Sequence, residues 1–93
     1  MRLAMKIKAL EGQVGILRIL VYLCKRKSSA SLSLLMKDTK VTQGALYNTI
    51  KKAVGLGLIE QRQEDKFPYR KTISLTDKGL KIAKLLSEID LML

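Results

Sequence analysis

The sequence contains no histidine, no tryptophan, one cysteine and one proline. Without histidine, the chain lacks the commonest general acid–base side chain and the usual partner of a serine or cysteine nucleophile. One cysteine and no histidine also exclude a zinc site built from Cys and His ligands of this chain. Cys24 cannot form a disulfide within the chain, so a secreted, disulfide-framed protein is not indicated. We therefore expect no enzyme, no bound metal and no cofactor.

Long apolar runs are also missing. The longest nearly apolar stretch, residues 16–24, is interrupted by Arg18. A membrane-spanning helix needs about 20 apolar residues, so this stretch predicts a buried helix and no membrane partner. No small-residue cleavage site follows an apolar core near the N-terminus, and we therefore expect a cytoplasmic protein.

What the chain does have is a moderate core and a large excess of positive charge. Its 93 residues are 47% hydrophobic, which predicts a single folded domain over residues 1–93. The sequence has 18 Lys and Arg residues but only 8 Asp and Glu residues, which gives a formal charge of +10. Such an excess favours a polyanionic partner, first nucleic acid and second an anionic membrane surface. The alternative is a charged surface of the thermophilic kind, but there the acidic residues match the basic ones.

The first third of the chain predicts an N-terminal arm followed by a helix. Residues 1–11 alternate as a strand would, but a 4-3 spacing of apolar residues continues through them to Cys24 and favours a helical arm. Gly12 and Gly15 interrupt the pattern before a firm helix over residues 13–26. This helix is apolar nearly all round, as expected for a helix in the centre of a core or shared with a second subunit. Ser28 and Ser29 then end it.

Two capped helices follow. Ser31 is a good N-cap for a short helix over residues 32–38, and Thr42 is a good N-cap for a third helix over residues 43–54. Between them lies a polar turn with Val41 as its apolar residue. The residues predicted for the buried face of the third helix are Leu46, Ile50, Ala53 and Val54.

The last third predicts a hairpin and a helix. Residues 58–62 and 69–75 are strand-like and flank a six-residue connection that ends at Pro68. Thr76 caps a final helix over residues 77–92, on which Lys78, Lys81 and Lys84 are interpreted as a solvated stripe. Helix, short helix, turn, helix, two-stranded hairpin and helix is the order of a winged helix-turn-helix, an α+β but mostly α fold.

Four segments make a family resemblance specific. They are residues 31–36, residues 41–50, Gly57-Leu-Ile-Glu60 and Leu75-Thr-Asp-Lys-Gly79. In these segments the chain resembles the small winged-helix transcriptional regulators of archaea, their viruses and bacteria, the MarR, PadR and ArsR-like group. The resemblance covers residues 13–90. It implies a helix-turn-helix over residues 31–55, a two-stranded wing over residues 58–75 and a C-terminal dimerisation helix over residues 76–93.

The helix-turn-helix predicts which residues contact DNA. A recognition helix buries one stripe and offers the other to the major groove, where Gln and Asn pair with adenine and Lys contacts phosphates. An ordinary solvated helix face is the alternative interpretation. Near the wing tip, Glu64 and Asp65 favour contacts from the wing base instead. The candidate DNA-binding residues are Thr42, Gln43, Gly44, Tyr47, Asn48, Lys51 and Lys52 on the helix, and Arg62, Lys66, Arg70 and Lys71 on the wing.

The final helix predicts a homodimer. Ile82, Leu86, Ile89 and Leu93 repeat at 4-3-4 spacing, like the seam of a coiled coil. The alternative is packing of this helix against the first one within the chain, and both arrangements are compatible. Cys24 is interpreted as a small hydrophobic residue, with an intersubunit disulfide as the alternative.

We therefore expect a homodimeric, sequence-specific double-stranded-DNA-binding protein, a nucleoid-associated transcriptional regulator. Two alternatives remain at this point. One is a sequence-indifferent, chromatin-like protein that coats DNA, and the other is a winged-helix adaptor that binds proteins.

Overall fold

The computed structural model describes residues 7–12, 15–26, 29–67 and 71–93. Within these ranges the helices are α1 (Lys8–Glu11), α2 (Ile16–Lys25), α3 (Leu32–Thr39), α4 (Gln43–Gly55) and α5 (Asp77–Met92). The strands are β1 (Ser29–Ser31), β2 (Ile59–Gln63) and β3 (Lys71–Leu75). This order confirms the mostly helical winged-helix prediction. None of the helices in the described ranges has the length and hydropathy to cross a membrane.

Three helices begin at the capping residues that the sequence predicts. The hydroxyl oxygen of Ser31 accepts a hydrogen bond from the Leu34 N–H at 3.3 Å. The Thr42 hydroxyl accepts from the Ala45 N–H at 3.4 Å, and the Thr76 hydroxyl from the Gly79 N–H at 3.0 Å. Each bond satisfies one of the N–H groups that the first turn of a helix leaves without a partner. The beginnings of α3, α4 and α5 are therefore encoded locally.

The sheet has one strand more than predicted. The expected hairpin is present, because β2 and β3 pair antiparallel from Ile59 opposite Leu75 to Gln63 opposite Lys71. The three-residue strand β1 adds to the other edge of β3, which gives the strand order β1-β3-β2. The sequence pattern predicts for Ser29 only the end of a helix. A segment of three residues is too short to show alternation, and its partner lies more than forty positions away.

The core is built on one stripe of α2. Ile16, Ile19, Leu20 and Leu23 are buried, whereas Leu17 is exposed and Val21 is half-buried. The expectation that this helix lies in the centre of the core is therefore wrong for its Leu17 side, while the alternative, that it is shared with a second subunit, stays a prediction. Its other side borders solvent and the last helix, so its hydrophobic residues are shared between a core and a surface groove.

Helix α4 buries a slightly different face from the one predicted. Leu46, Ile50 and Ala53 are buried as expected, but Val54 is 40% exposed. Thr49 takes its place in the stripe and is 1% exposed. Thr49 lies three residues after Leu46 and four before Ala53. This 3-4 spacing places Thr49 on the buried face of the helix, from which Val54 is absent.

Gly15 explains how α2 meets the turn before α4. Its φ of +81° lies in the left-handed region, and a Cβ atom there would lie 2.5 Å from Cγ2 of the buried Val41. A glycine therefore permits both the start of α2 and the close approach of the turn. Residues 8–11 are helical as predicted for the N-terminal arm, and residues 1–6 lie outside the described residues.

Candidate functional site

The outer face of α4 carries most of the side chains predicted for DNA contact. All seven helix candidates are exposed: Thr42, Gln43, Gly44, Tyr47, Asn48, Lys51 and Lys52. From Gln43 onward they recur in pairs every four residues, opposite the stripe that packs on the core. No acidic residue occurs between Gln43 and Gly55. The structure therefore assembles amide, phenol and ammonium groups on one continuous, acid-free surface.

Gly44 lies in the first turn of this face. A Cβ atom at Gly44 would meet no atom of the described residues within 4 Å. Glycine inside a helix is less favourable than alanine by about 0.5–1 kcal/mol, so an intramolecular contact does not account for its presence. The missing side chain leaves the backbone open to a close approach from outside.

The turn that precedes α4 is held by α2. The Arg18 guanidinium donates a hydrogen bond to the Thr39 carbonyl at 3.0 Å, and the Thr39 hydroxyl donates to the Leu35 carbonyl. Lys40 follows with a φ of +56°, and Val41 is buried next to Gly15. These contacts set the direction in which the chain enters α4.

A second contact links α2 to the same end of α3. The Tyr22 hydroxyl donates a hydrogen bond to the Asp38 carboxylate. Because loss of the proton would leave two negative oxygens side by side, this hydrogen bond raises the pKa of Tyr22 above its ordinary value. The Arg26 guanidinium lies 5.8 Å from the centre of the Tyr22 ring. Tyr22 therefore stays protonated and keeps its role as donor.

The wing does not present its basic residues on one face. Arg62 lies opposite Thr72, while Lys71 lies opposite Gln63 in the next register position. Successive side chains of a strand point to opposite faces, so Arg62 and Lys71 lie on opposite faces of the hairpin. Lys66 is exposed in the connection between β2 and β3, together with Glu64 and Asp65. Arg70 lies outside the described residues.

A shallow depression lies near the C-terminal end of α4. It is lined by Asn48, Lys51, Lys52, Gly55 and Leu56. The Lys78 ammonium group donates a hydrogen bond to the Leu56 carbonyl at 3.1 Å. The interpretation of Lys78 as part of a solvated stripe is therefore incomplete. This contact forms because α5 approaches the end of α4. The spacing of lysines along α5 does not predict that approach.

The four residues predicted for the dimer seam divide into two pairs. Ile82 and Leu86 are half-buried and pack against the core of their own chain. Ile89 is 52% exposed and Leu93 is 99% exposed. Intramolecular packing thus accounts for the first pair, and only the second offers a large free apolar surface.

Helices α2 and α5 lie side by side and enclose a groove of about 360 Å³. Its apolar lining consists of Leu17, Val21, Leu86, Ile89 and Leu93. The Lys25 ammonium and the Asp90 carboxylate form an ion pair at 3.2 Å across the two helices. Cys24 is half-buried against the core, as a small hydrophobic residue would be.

Known proteins share this fold. The sequence model of the family described as ArnR1-like, winged-helix domain matches residues 6–92. A transcriptional regulator homologue from Pyrococcus horikoshii is 26% identical, with a TM-score of 0.77, over 94% of this chain and 87% of that one. A MarR-family regulator from Porphyromonas gingivalis is 20% identical, with a TM-score of 0.76, over 97% of this chain and 93% of that one.

A third neighbour was solved with DNA. It is a mutant MarR from E. coli complexed with operator DNA, 18% identical with a TM-score of 0.69. The match covers 88% of this chain and 58% of that protein. Among curated proteins, none matches the sequence. These comparisons show a winged-helix fold of the kind found in MarR-family transcriptional regulators.

Proposed function

The chain belongs to the family of ArnR1-like winged-helix domains, and from this premise we propose that it is a homodimeric transcriptional regulator that binds specific sites on double-stranded DNA. The observation that carries the proposal is the acid-free outer face of α4, which combines base-reading amides with lysines. A helix face that only contacts water can carry acidic residues as well as lysines. A helix that enters the strongly negative major groove must keep acidic residues off the face that contacts DNA.

Base readout is assigned to the first half of α4. Gln43 and Asn48 present amides that can pair with adenine, and Tyr47 can contact a thymine methyl group or a phosphate. Gly44 lets the backbone approach the bases or phosphates closely. Thr42 is engaged by its hydroxyl in capping α4, so its part in binding is to orient the first turn.

Phosphate contacts are assigned to the basic side chains around this face. Lys51 and Lys52 lie in the second half of α4. From there they can reach the phosphates of the two DNA strands that border the major groove. Arg62, Lys66 and Lys71 are exposed on the wing, to which the sequence adds Arg70. Arg62 and Lys71 lie on opposite faces of the hairpin, so only one of them can lie close to the phosphates of the nearest DNA strand. The other can reach into the adjacent minor groove.

The contact with a second copy of the chain is assigned to the exposed C-terminal end of α5. Ile89 and Leu93, with the exposed Leu85 and Met92, form an apolar surface beside the α2–α5 groove. Covering this surface with the same surface of another chain forms a two-fold dimer. Its two α4 helices would read a palindromic site with half-sites about 34 Å apart, one DNA turn.

The test is selection followed by competition. The protein selects sequences from a random duplex pool, and its affinities for the selected site and for scrambled duplex of equal length are compared at physiological salt. A regulator is expected to prefer its palindromic site by about a thousandfold or more. Similar affinities for both duplexes would instead indicate a DNA-coating protein. A lack of binding to either duplex at moderate salt would favour a protein-binding adaptor.

This proposal also assigns the protein to the nucleoid in the cytoplasm. No catalytic step, metal ion or cofactor takes part in it.

A further inference from the structure

Two sequence motifs that lie about twenty positions apart meet just beyond the C-terminal end of α4. The segment Gly57-Leu-Ile-Glu60 leaves α4, and the segment Leu75-Thr-Asp-Lys-Gly79 begins α5. The Thr76 N–H donates to the Leu58 carbonyl at 3.0 Å, and the Thr76 hydroxyl donates to the Gly57 carbonyl at 2.6 Å. The first turn of α5 is thus bonded directly to the residues that end α4.

Lys78 and Gly79 extend this contact. The Lys78 ammonium donates to the Leu56 carbonyl, so three successive carbonyls, those of Leu56, Gly57 and Leu58, accept hydrogen bonds from α5 or its cap. A Cβ atom at Gly79 would lie 1.8 Å from the Leu58 oxygen. Only a glycine therefore allows the backbone of α5 to lie directly on that of Leu58. We call Thr76, Lys78 and Gly79 the latch.

The residues that the latch contacts are continuous with α4. The Leu56 N–H bonds to the Lys52 carbonyl, and the Gly57 N–H bonds to the Val54 carbonyl, both at 3.0 Å. The Leu58 N–H bonds to the Ala53 carbonyl, also at 3.0 Å. The last carbonyls of a helix have no partners within it, and here the N–H groups of Leu56, Gly57 and Leu58 supply partners for those of α4. The carbonyls of the same three residues accept hydrogen bonds from α5 or its cap. The end of α4 and the beginning of α5 are therefore hydrogen-bonded to the same three residues.

We propose that the latch residues are positioning residues, which hold the recognition helix at a fixed angle to α5 and so set the spacing of half-sites that the dimer accepts. The inference rests on the proposed function. In the dimer, α5 provides the contact between subunits and α4 provides the contact with DNA. Any freedom between these helices in one subunit would change the distance between the two recognition helices. A rigid latch converts the geometry of the dimer into a preference for one half-site separation.

The experiment uses Thr76→Val, which keeps the shape of the side chain and removes both hydrogen-bonding functions of its oxygen. Thr76→Ser keeps both functions and is the matched control. Each protein is titrated with the selected site and with duplexes in which one base pair is inserted or deleted between half-sites. We expect Thr76→Val to lose about tenfold in affinity at the original spacing and less at the altered ones. Thr76→Ser should keep the preference of the original protein. A loss that is equal at all spacings would overturn the latch, because it would indicate a general loss of folded protein.

Lys78→Met repeats the test without touching the cap of α5. Lys84→Met is its control, since Lys84 is exposed on the same helix and its loss removes the same charge. We expect a weakened spacing preference for Lys78→Met only. If Thr76→Val does not fold, this pair decides the question, and identical spacing preferences for the two lysine variants would overturn the proposal.

A measurement without DNA separates this inference from the proposed function. Spin labels at Lys51→Cys and Lys84→Cys, with Cys24→Ala, report the distance between α4 and α5 within one chain when the labelled protein is mixed with an excess of unlabelled protein, so that a dimer holds at most one labelled chain. A narrow distribution that broadens with Thr76→Val and not with Thr76→Ser would support the latch even for a protein that binds no DNA. Equal widths would overturn it, whatever the protein binds.

Discussion

Helices α4 and α5 are built alike at the start and differ in the surface they leave free. They span 13 and 16 residues, and each begins at a threonine whose hydroxyl caps its first turn. The free face of α4 is polar and carries lysines without acidic neighbours. The free end of α5 is apolar, with Leu85, Ile89, Leu91, Met92 and Leu93 exposed.

The charges of the two helices differ in the same sense. Helix α4 has two lysines and no acidic residue. Helix α5 has three lysines, Lys78, Lys81 and Lys84, balanced by Asp77, Glu88 and Asp90, so its formal charge is zero. The excess of +10 is therefore placed unevenly, and the two helices suit partners of different chemistry. A polyanion fits α4, and an apolar surface such as a second α5 fits the end of α5.

The largest effect is expected from breaking the apolar end of α5. Ile89→Asp would place an unpaired carboxylate in the proposed subunit contact, which costs about 3–5 kcal/mol. We expect the protein to become a monomer at micromolar concentration in sedimentation equilibrium, and to lose its preference for palindromic sites. Glu88→Gln, at an exposed neighbouring position, should leave the dimer intact. A dimer of unchanged stability in Ile89→Asp would show that this surface has another purpose.

A smaller effect, confined to specific DNA, is expected on α4. Asn48→Ala removes a base-reading amide and should weaken binding to the selected site by about 1–3 kcal/mol while sparing scrambled DNA. Fluorescence anisotropy titrations with both duplexes provide the comparison, and the oligomeric state should not change. Equal losses on both duplexes would contradict direct readout by Asn48 and would reduce α4 to a purely electrostatic surface.

The smallest effect is expected on the wing. Arg62→Gln should weaken binding to selected and scrambled duplexes to the same extent, and lower the slope of log K against log salt by about one. Glu64→Gln, on the same wing, is the control of opposite sign and should strengthen binding to both duplexes slightly. An Arg62 variant whose loss is confined to the selected site would instead place Arg62 among the base contacts.

The order of the elements and the N-caps could be predicted because they depend on neighbouring residues. Ser31, Thr42 and Thr76 each cap a helix with an N–H three positions further along the chain. The alternation of β3 and the 4-3 spacing of α4 are equally local signals. The exposed face of α4 followed from the same periodicity, so the helix part of the candidate site was predictable from the sequence.

Features that depend on distant parts of the chain were not predictable in this way. Strand β1 exists because β3 lies beside it, and Val54 is exposed because none of the residues that the structure describes covers that side of α4. The two faces of the wing follow from the pairing register, which places Arg62 and Lys71 apart. Lys78 donates a hydrogen bond to the Leu56 carbonyl, at the end of α4, only because the fold packs α5 against that end.

The sequence by itself determined the helices, their caps, the hairpin and the excess of positive charge, since each arises from residue type and short-range spacing. Only the tertiary structure decided how these parts are used. Burial divided the apolar residues of α5 between the core and the surface, and packing joined the end of α4 to the beginning of α5. The physical reason is that an apolar side chain or an unpaired carbonyl specifies only that it must be covered, whereas the fold specifies which residue covers it.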